Sequence, residues 1–377
     1  MSLLWGWQIM KSKNVLINKT VPGMILAKDV IDFSGQILVS KGTTLTDNII
    51  SKLQFHSIKS LMICVNKNGE LIKENTQSVT SEQILHESHL SKIRKTEEFL
   101  TFQKDFNCCV ENFQSYMEEV ITTNEPLDTT NLLRSIHNVL DNSRNAIHLF
   151  DMINSMRNHD DNTYTHCVNV SLICYVFGQW IHLPQSEIGI LTLCGLFHDI
   201  GKLEIPQSII MKPDKLTEDE YQTIKKHTLI GYELLKDRAI DDRIKYASLM
   251  HHERIDGSGY PNQLTGDEIE NFSKIVAIVD VYDALTSKRV YRDPLSPFEV
   301  LLVFEKDGYT KYDPSYLIVF FEQMFQTYVT NTVRLSDGSE GKIIMLNKHA
   351  LAEPVVQVGN TFIDLSKNKS LFIQAII

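Results

Sequence analysis

The sequence predicts a mainly α protein: an all-helical bundle with a small N-terminal α/β domain before it and a short C-terminal β appendage after it. Three observations carry this prediction. Apolar residues recur at three- and four-residue spacing from about residue 81 to 156. A helical pattern broken by Pro206, Pro213, the 256–261 loop and Pro294 then runs from Thr163 to about Thr330. Strand-like runs with turn punctuation are confined to the two ends. With 377 residues the chain suffices for two or three domains with cores of their own, and 43% hydrophobic against 22% charged residues is an ordinary globular balance.

In the N-terminal domain, placed at 13–75, the segments 15–17, 24–30, 36–39 and 61–65 have strand-like apolar content. Pro22-Gly23, Ser34-Gly35 and Lys41-Gly42 punctuate them as turns, and Thr46-Asp47-Asn48 caps a helix over 49–55. Its expected role is regulation or dimerisation. The polar stretch 66–81 reads as a linker. Residues 81–156 form a helical linker. There Phe99, Phe102, Phe106, Val110, Phe113, Met117 and Val120 make one stripe, ended by Glu125-Pro126, and Leu132, Leu133, Ile136, Val139, Leu140 and Ile147 make a second. Such stripes point to helix packing or to the contact of a homodimer. The helical bundle is placed at 157–330. The appendage, 331–377, has strands at 332–335, 341–346, 354–358 and 371–377, with turns at Asp337-Gly338 and Gly359-Asn360.

Composition excludes several classes. Lys and Arg number 37 against 47 Asp and Glu, a net charge of −10, which argues against a protein that binds nucleic acid by neutralising phosphates. The six cysteines, Cys64, Cys108, Cys109, Cys167, Cys174 and Cys194, form no CxxC pair and no disulfide scaffold, so buried free thiols in a cytoplasmic protein are expected. Residues 1–13 lack the basic start and cleavage site of a signal peptide. The apolar runs 168–180 and 188–197 are interrupted and shorter than the roughly 20 residues of a membrane span, so no membrane association is expected.

Seven of the 13 histidines fall between His159 and His252. Within the helical pattern stand His166, His198-Asp199, His227 and His251-His252, followed by Asp280 on an apolar helix over 275–285. Imidazole and carboxylate are ligands of divalent metals, and helical bundles build dinuclear sites from such groups facing one cavity. A lone histidine on an apolar helix is more often a core residue. The grouping weighs against that here, because Lys202 lies one turn beyond His198, and a buried carboxylate, imidazole and ammonium together are costly without a metal or ligand to offset them.

Phe197-His198-Asp199-Ile200-Gly201-Lys202, then His227, His251-His252-Glu253, Asp256-Gly257-Ser258-Gly259-Tyr260-Pro261 and Asp280-Val281-Tyr282-Asp283-Ala284 resemble the HD-GYP family, cyclic di-GMP phosphodiesterases of the HD metal-dependent phosphohydrolase superfamily. The resemblance runs from about Ser155 to Thr330. It implies an HD-type bundle in which His166, His198, Asp199, His227, His251, His252 and Asp280 are metal ligands, with Asp199 bridging two ions. It also implies that Lys202 sits beside the scissile phosphate, that Arg289 and Arg292 hold phosphates and guanine, and that the Gly259-Tyr260-Pro261 loop contacts substrate or docks a signalling partner.

The implied reaction is hydrolysis of cyclic di-GMP to pGpG and/or GMP by a metal-bridging hydroxide, with Fe or Mn as the expected metals and Zn or Co as alternatives. Family members with a third metal carry Glu four residues before the first histidine ligand, where this chain has Asn162, so a dinuclear site is expected. Two other readings stand beside this one: a phosphohydrolase of another nucleotide, and a catalytically slow cyclic di-GMP sensor. The intact ligand set and Lys202 favour catalysis. Around the site, Cys167 and Cys194 are expected to be inert buried thiols, His159 an exposed or structural residue, Glu253 a support for an imidazole, and Tyr282 and Asp283 packing and capping residues.

Overall fold

The structure, a computed structural model, describes residues 11–21, 23–31, 37–39, 41–43, 45, 49, 50, 53, 58, 60–65, 93–122, 126–156, 162–212, 214–287, 294–326, 328–347 and 350–377. It divides into two compact units, residues 1–85 and 86–377.

The first unit contains β1 (Lys11–Leu16), β2 (Val30–Ile31), β3 (Ile37–Val39) and β4 (Ser60–Val65). β1 pairs antiparallel with β4, placing Val15 opposite Leu61, and β2 pairs antiparallel with β3. Val15, Leu26, Leu45, Leu53 and Ile63 meet in its core. The strand expected over 24–30 is broken. Residues 24–26 make only bridges, Leu26 to Ile63 among them, and the chain bends at 27–28 before β2. Residues 49, 50 and 53 of the expected helix are helical, whereas its cap at 46–48 and the linker 66–81 lie outside the described residues.

In the second unit the helices are α1 (Glu97–Thr122), α2 (Thr129–Leu140), α3 (Ala146–Met156), α4 (Thr163–Trp180), α5 (Gln185–Phe197), α6 (Gln207–Ile210), α7 (Glu218–Lys225), α8 (His227–Leu235), α9 (Asp242–Met250), α10 (Asn271–Thr286), α11 (Pro297–Lys311) and α12 (Pro314–Gln326). Then come β5 (Thr332–Leu335), β6 (Glu340–Met345), β7 (Val355–Val358), β8 (Thr361–Asp364) and β9 (Ile373–Ile376), an antiparallel sheet in the order β8-β7-β6-β5-β9. Phe99, Phe102, Phe106, Phe113 and Met117 bury one face of α1 in the core that also holds Val168 and Ile173 of α4 and Val333 and Ile343 of the sheet. The stripe is used for packing within the chain.

Two elements differ from the sequence reading. The second stripe is split between helices, Leu132 to Leu140 on α2 and Ile147 on α3. Residues 141–145 read Asp-Asn-Ser-Arg-Asn, whose polar side chains favour a turn, and Ser143 N–H closes the end of α2 on the Leu140 carbonyl at 2.9 Å. Strand β8 was not anticipated. It forms because Gly359, at φ +57°, turns the chain back onto β7, and its Phe362 points out to solvent, so no apolar alternation announces it. Among the described residues no helix is long and apolar enough to cross a membrane.

Candidate metal centre

Four helix ends and one helix body converge on the site. α4 starts at Asn162, whose side chain accepts from Thr165 N–H at 2.8 Å and caps the helix one turn before His166. α5 ends on His198, and Asp199 opens a short 3₁₀ turn, Ile200–Glu204. That turn lies hard against α8. A Cβ on Gly201 would stand 1.9 Å from the His227 carbonyl oxygen, so only glycine permits the approach that brings His227 to Asp199. His251 and His252 follow α9, and Asp280 projects from α10.

Seven side chains gather in two clusters: Asp199, His227, His251 and His252; and His166, His198 and Asp280. All are buried except His252, which is partly exposed. Asp199 joins the clusters through its two oxygens. Oδ2 lies 3.5 Å from His166 Nε2 and 3.4 Å from His198 Nε2, while Oδ1 lies 3.2 Å from His227 Nε2 and 3.5 Å from His251 Nε2.

The proton positions follow from the partners. His198, His227 and His251 each face a backbone carbonyl with Nδ1, those of Gly195 at 2.8 Å, Ile224 at 2.7 Å and Ala247 at 2.9 Å. A carbonyl only accepts, so each neutral ring carries its hydrogen on Nδ1 and turns a bare Nε2 lone pair inward. The Nε2 atoms of His227 and His251 are 3.2 Å apart with no proton to share. Asp199 Oδ1 is likewise buried with no donor directed at it. Convergent lone pairs on a buried oxygen repel unless a cation lies among them, so these residues fit divalent metal ions, and the two clusters are consistent with a dinuclear site.

Electrostatics keeps most of this set unprotonated. Burial, reinforced by neighbouring rings, lowers His198 to about 3, and burial lowers His227 and His252 as well. Burial raises the Asp199 and Asp280 carboxyls, but the Lys202 ammonium beside Asp199 and the His166 hydrogen bond to Asp280 outweigh it, leaving both below the usual carboxylate range. His166 is the exception. Burial opposes its charge, yet hydrogen bonds to Asp280 at 3.0 Å and Asp283 at 2.8 Å raise it to about 9. Lys202 donates to Asp199 Oδ2 and, with His166 and Asp199, lines a cleft of about 1410 Å³.

Residues 147–316 match the HD domain family. This segment is an HD domain. The chain is 33% identical over 205 residues to a cyclic di-GMP phosphodiesterase of Pseudomonas aeruginosa, covering 54% of this chain and 49% of that protein. It is 38% identical over 165 residues to a cyclic di-GMP phosphodiesterase response regulator of Xanthomonas campestris pv. campestris, covering 43% of each. A 3'3'-cGAMP-specific phosphodiesterase of Vibrio cholerae is 38% identical over 148 residues, 39% of this chain and 28% of that protein. The chain thus spans less than half the length of each of these relatives. The solved structure of Bd1817, an HDG"Y"P protein from Bdellovibrio bacteriovorus, aligns over 83% of this chain and 99% of that one with a TM-score of 0.48 and 15% identity.

Within the HD domain, the Gly259-Tyr260-Pro261 loop packs onto the cluster of Asp199, His227, His251 and His252. The Tyr260 ring stacks on His252 at 4.7 Å between centroids, and Lys225 Nζ lies 4.9 Å from the other partner of the stack, the Tyr260 centroid. A Cβ on Gly259 would come within 2.4 Å of Glu253 Cα, so the loop rides directly on the backbone after His252. Glu253 is not the imidazole support expected. Its carboxylate accepts from Asn262 N–H at 2.7 Å and Leu264 N–H at 3.0 Å and pins the loop instead. Asp283 is also more than a packing residue, because it holds His166 Nδ1. Its spacing from Asp280, three residues along one helix face, was the available signal. Tyr282 packs against Phe150 and Phe320 as expected of it. Burial pushes the Cys167 and Cys194 thiols well up, which keeps them inert. Arg289, Arg292 and His159 lie outside the described residues.

Proposed function

We propose that this chain is a metal-dependent phosphodiesterase that opens cyclic di-GMP to pGpG and, after a second cleavage, GMP. The observation that supports it is the Asp199 carboxylate, which turns one oxygen to each histidine cluster at a cleft that also holds Lys202. In this reading His166, His198 and Asp280 hold one ion, His227, His251 and His252 the other, and Asp199 both. Bound there, such ions, Fe or Mn by preference for a nitrogen and oxygen donor set and Zn or Co otherwise, would supply Lewis acidity toward water and phosphate.

The protein's own groups do the rest. Asp283 and the backbone carbonyls aim the imidazoles. Lys202, tethered to Asp199 and one-quarter exposed, offsets charge on the scissile phosphate. Arg289 and Arg292 hold phosphates and guanine by resemblance, and Tyr260, seated on His252, borders the reacting centre. The assignment makes 157–330 the catalytic domain, 13–75 a regulatory domain, 81–156 a helical linker and 331–377 an appendage.

A second reading, 3'3'-cGAMP as substrate, is favoured by the Vibrio cholerae relative, as similar to this chain as the Xanthomonas one. Metal analysis of anaerobically purified protein, with product chromatography on both dinucleotides, separates the readings. About two ions per chain and metal-dependent pGpG or GMP from cyclic di-GMP are expected. Cleavage of 3'3'-cGAMP alone replaces the substrate, and tight cyclic di-GMP binding without metal-dependent turnover makes the chain a sensor.

A further inference from the structure

The cleft beside the metal centre is not built by the HD domain alone. Glu118, Ile121 and Thr122, at the end of α1, line it together with Asn162 and Tyr164, and α1 precedes the matched segment 147–316. We propose that α1 is the base-recognition wall of this cleft and that the Glu118 carboxylate reads guanine by accepting from its N1–H and N2–H groups. This rests on the cyclic-dinucleotide reading above and names the residue that sets base choice.

A carboxylate in the wall of a cleft for an anionic ligand repels phosphate, and it contributes only where the ligand presents N–H or O–H donors. Of the other acidic residues lining the cleft, Asp199 belongs to the metal centre, and Glu204 and Asp214 belong to the 202–216 stretch that also carries Lys202, Lys212 and Lys215. Glu118 comes from a different element and has no cationic partner among the described residues. Gln114, one turn earlier on α1, donates to Glu118 Oε1 at 2.9 Å and steadies the carboxylate, while Oε2 has no partner among the described residues. Thr122 does not compete as a reader, because its hydroxyl donates to the Glu118 carbonyl at 3.0 Å. Ile121, Ile209 and Leu216 give base faces an apolar lining in the same cleft. Guanine carries two adjacent donors on its Watson–Crick edge and so matches the two oxygens of a carboxylate. Adenine sets an acceptor beside a single amino group, and the match fails.

The test compares kcat/KM of the metal-loaded full chain and its Glu118→Gln and Glu118→Ala variants on cyclic di-GMP, 3'3'-cGAMP and cyclic di-AMP. Taking the guanine-to-adenine ratio within each variant removes any general loss of folding. In the wild type the ratio favours guanine. Both variants are expected to lose about tenfold to a hundredfold on cyclic di-GMP, mainly through KM, and less on cyclic di-AMP, so the ratio collapses. A ratio unchanged in both variants overturns the role of Glu118. A wild type that cleaves none of the three overturns the phosphodiesterase reading itself.

Discussion

His166 is gripped from both sides: Nδ1 meets Asp283 Oδ2 at 2.8 Å while Nε2 faces the metal cluster. The carboxylate fixes which ring nitrogen carries hydrogen, which way the ring points, and how strongly the inner nitrogen donates. Asp283→Ala removes this acceptor without touching a ligand. Metal affinity is expected to fall about tenfold to a hundredfold, with turnover recovering as metal is added, and Asp283→Asn should lose less because its amide oxygen still accepts. A chelator-competition titration checks this, and unchanged affinity in the alanine variant would make Asp283 a packing residue after all.

Asp199 touches both clusters, so its loss differs in kind from the loss of any one histidine. Asp199→Ala should take metal content from about two ions per chain to less than one and abolish turnover, whereas His198→Ala should abolish turnover while reducing metal content less. Elemental analysis alongside the activity assay reads both quantities. Full activity in either variant would refute the site assignment.

The seven clustered residues were legible because each lies at a helix end or on an apolar helix, where a polar side chain stands out in the sequence. What supports them was not, because support is tertiary. Glu253 looks like a neighbour of imidazoles in the sequence, yet its carboxylate turns away to the amides of Asn262 and Leu264. The contribution of α1 to the cleft was hidden for the same reason. Its apolar stripe announces a packed helix, but not that Glu118 and Thr122 at its far end reach the rim of a site more than 40 residues on.

Gly201 sets the distance between the 3₁₀ turn and α8. Gly201→Ala would thrust a Cβ into the His227 carbonyl oxygen and the Gly231 amide nitrogen, at 1.9 and 2.6 Å, and both are backbone atoms that cannot rotate aside. A loss of about 1–3 kcal/mol is expected, seen as a drop of several degrees in Tm, together with weaker metal binding because His227 moves off Asp199. Differential scanning calorimetry with and without chelator checks it. An unchanged melting temperature would show that the turn and α8 are free to separate.

The pH dependence of the chelator-treated protein should have two limbs with different owners. His198, held at about 3, and His227 and His252, also lowered, are neutral when folded, but an unfolded histidine titrates near 6.5. Their contribution is present above 6.5 and lost as pH falls toward their folded values. His166 has the opposite sign. Its folded value of about 9 exceeds 6.5, so its contribution is complete below 6.5 and is lost as pH rises through 9. Stability should therefore be greatest near neutrality, and the decline between 6.5 and 9 should shrink in Asp283→Ala, which removes one of the two hydrogen bonds that raise His166 and leaves that of Asp280. Metal must displace the same proton to reach Nε2. Loading at pH 7 should release more protons from the wild type than from Asp283→Ala, by up to about one per chain, measured by calorimetry in buffers of different ionisation enthalpy. Equal release from the two proteins would mean that Asp283 does not hold His166 in the charged form at pH 7.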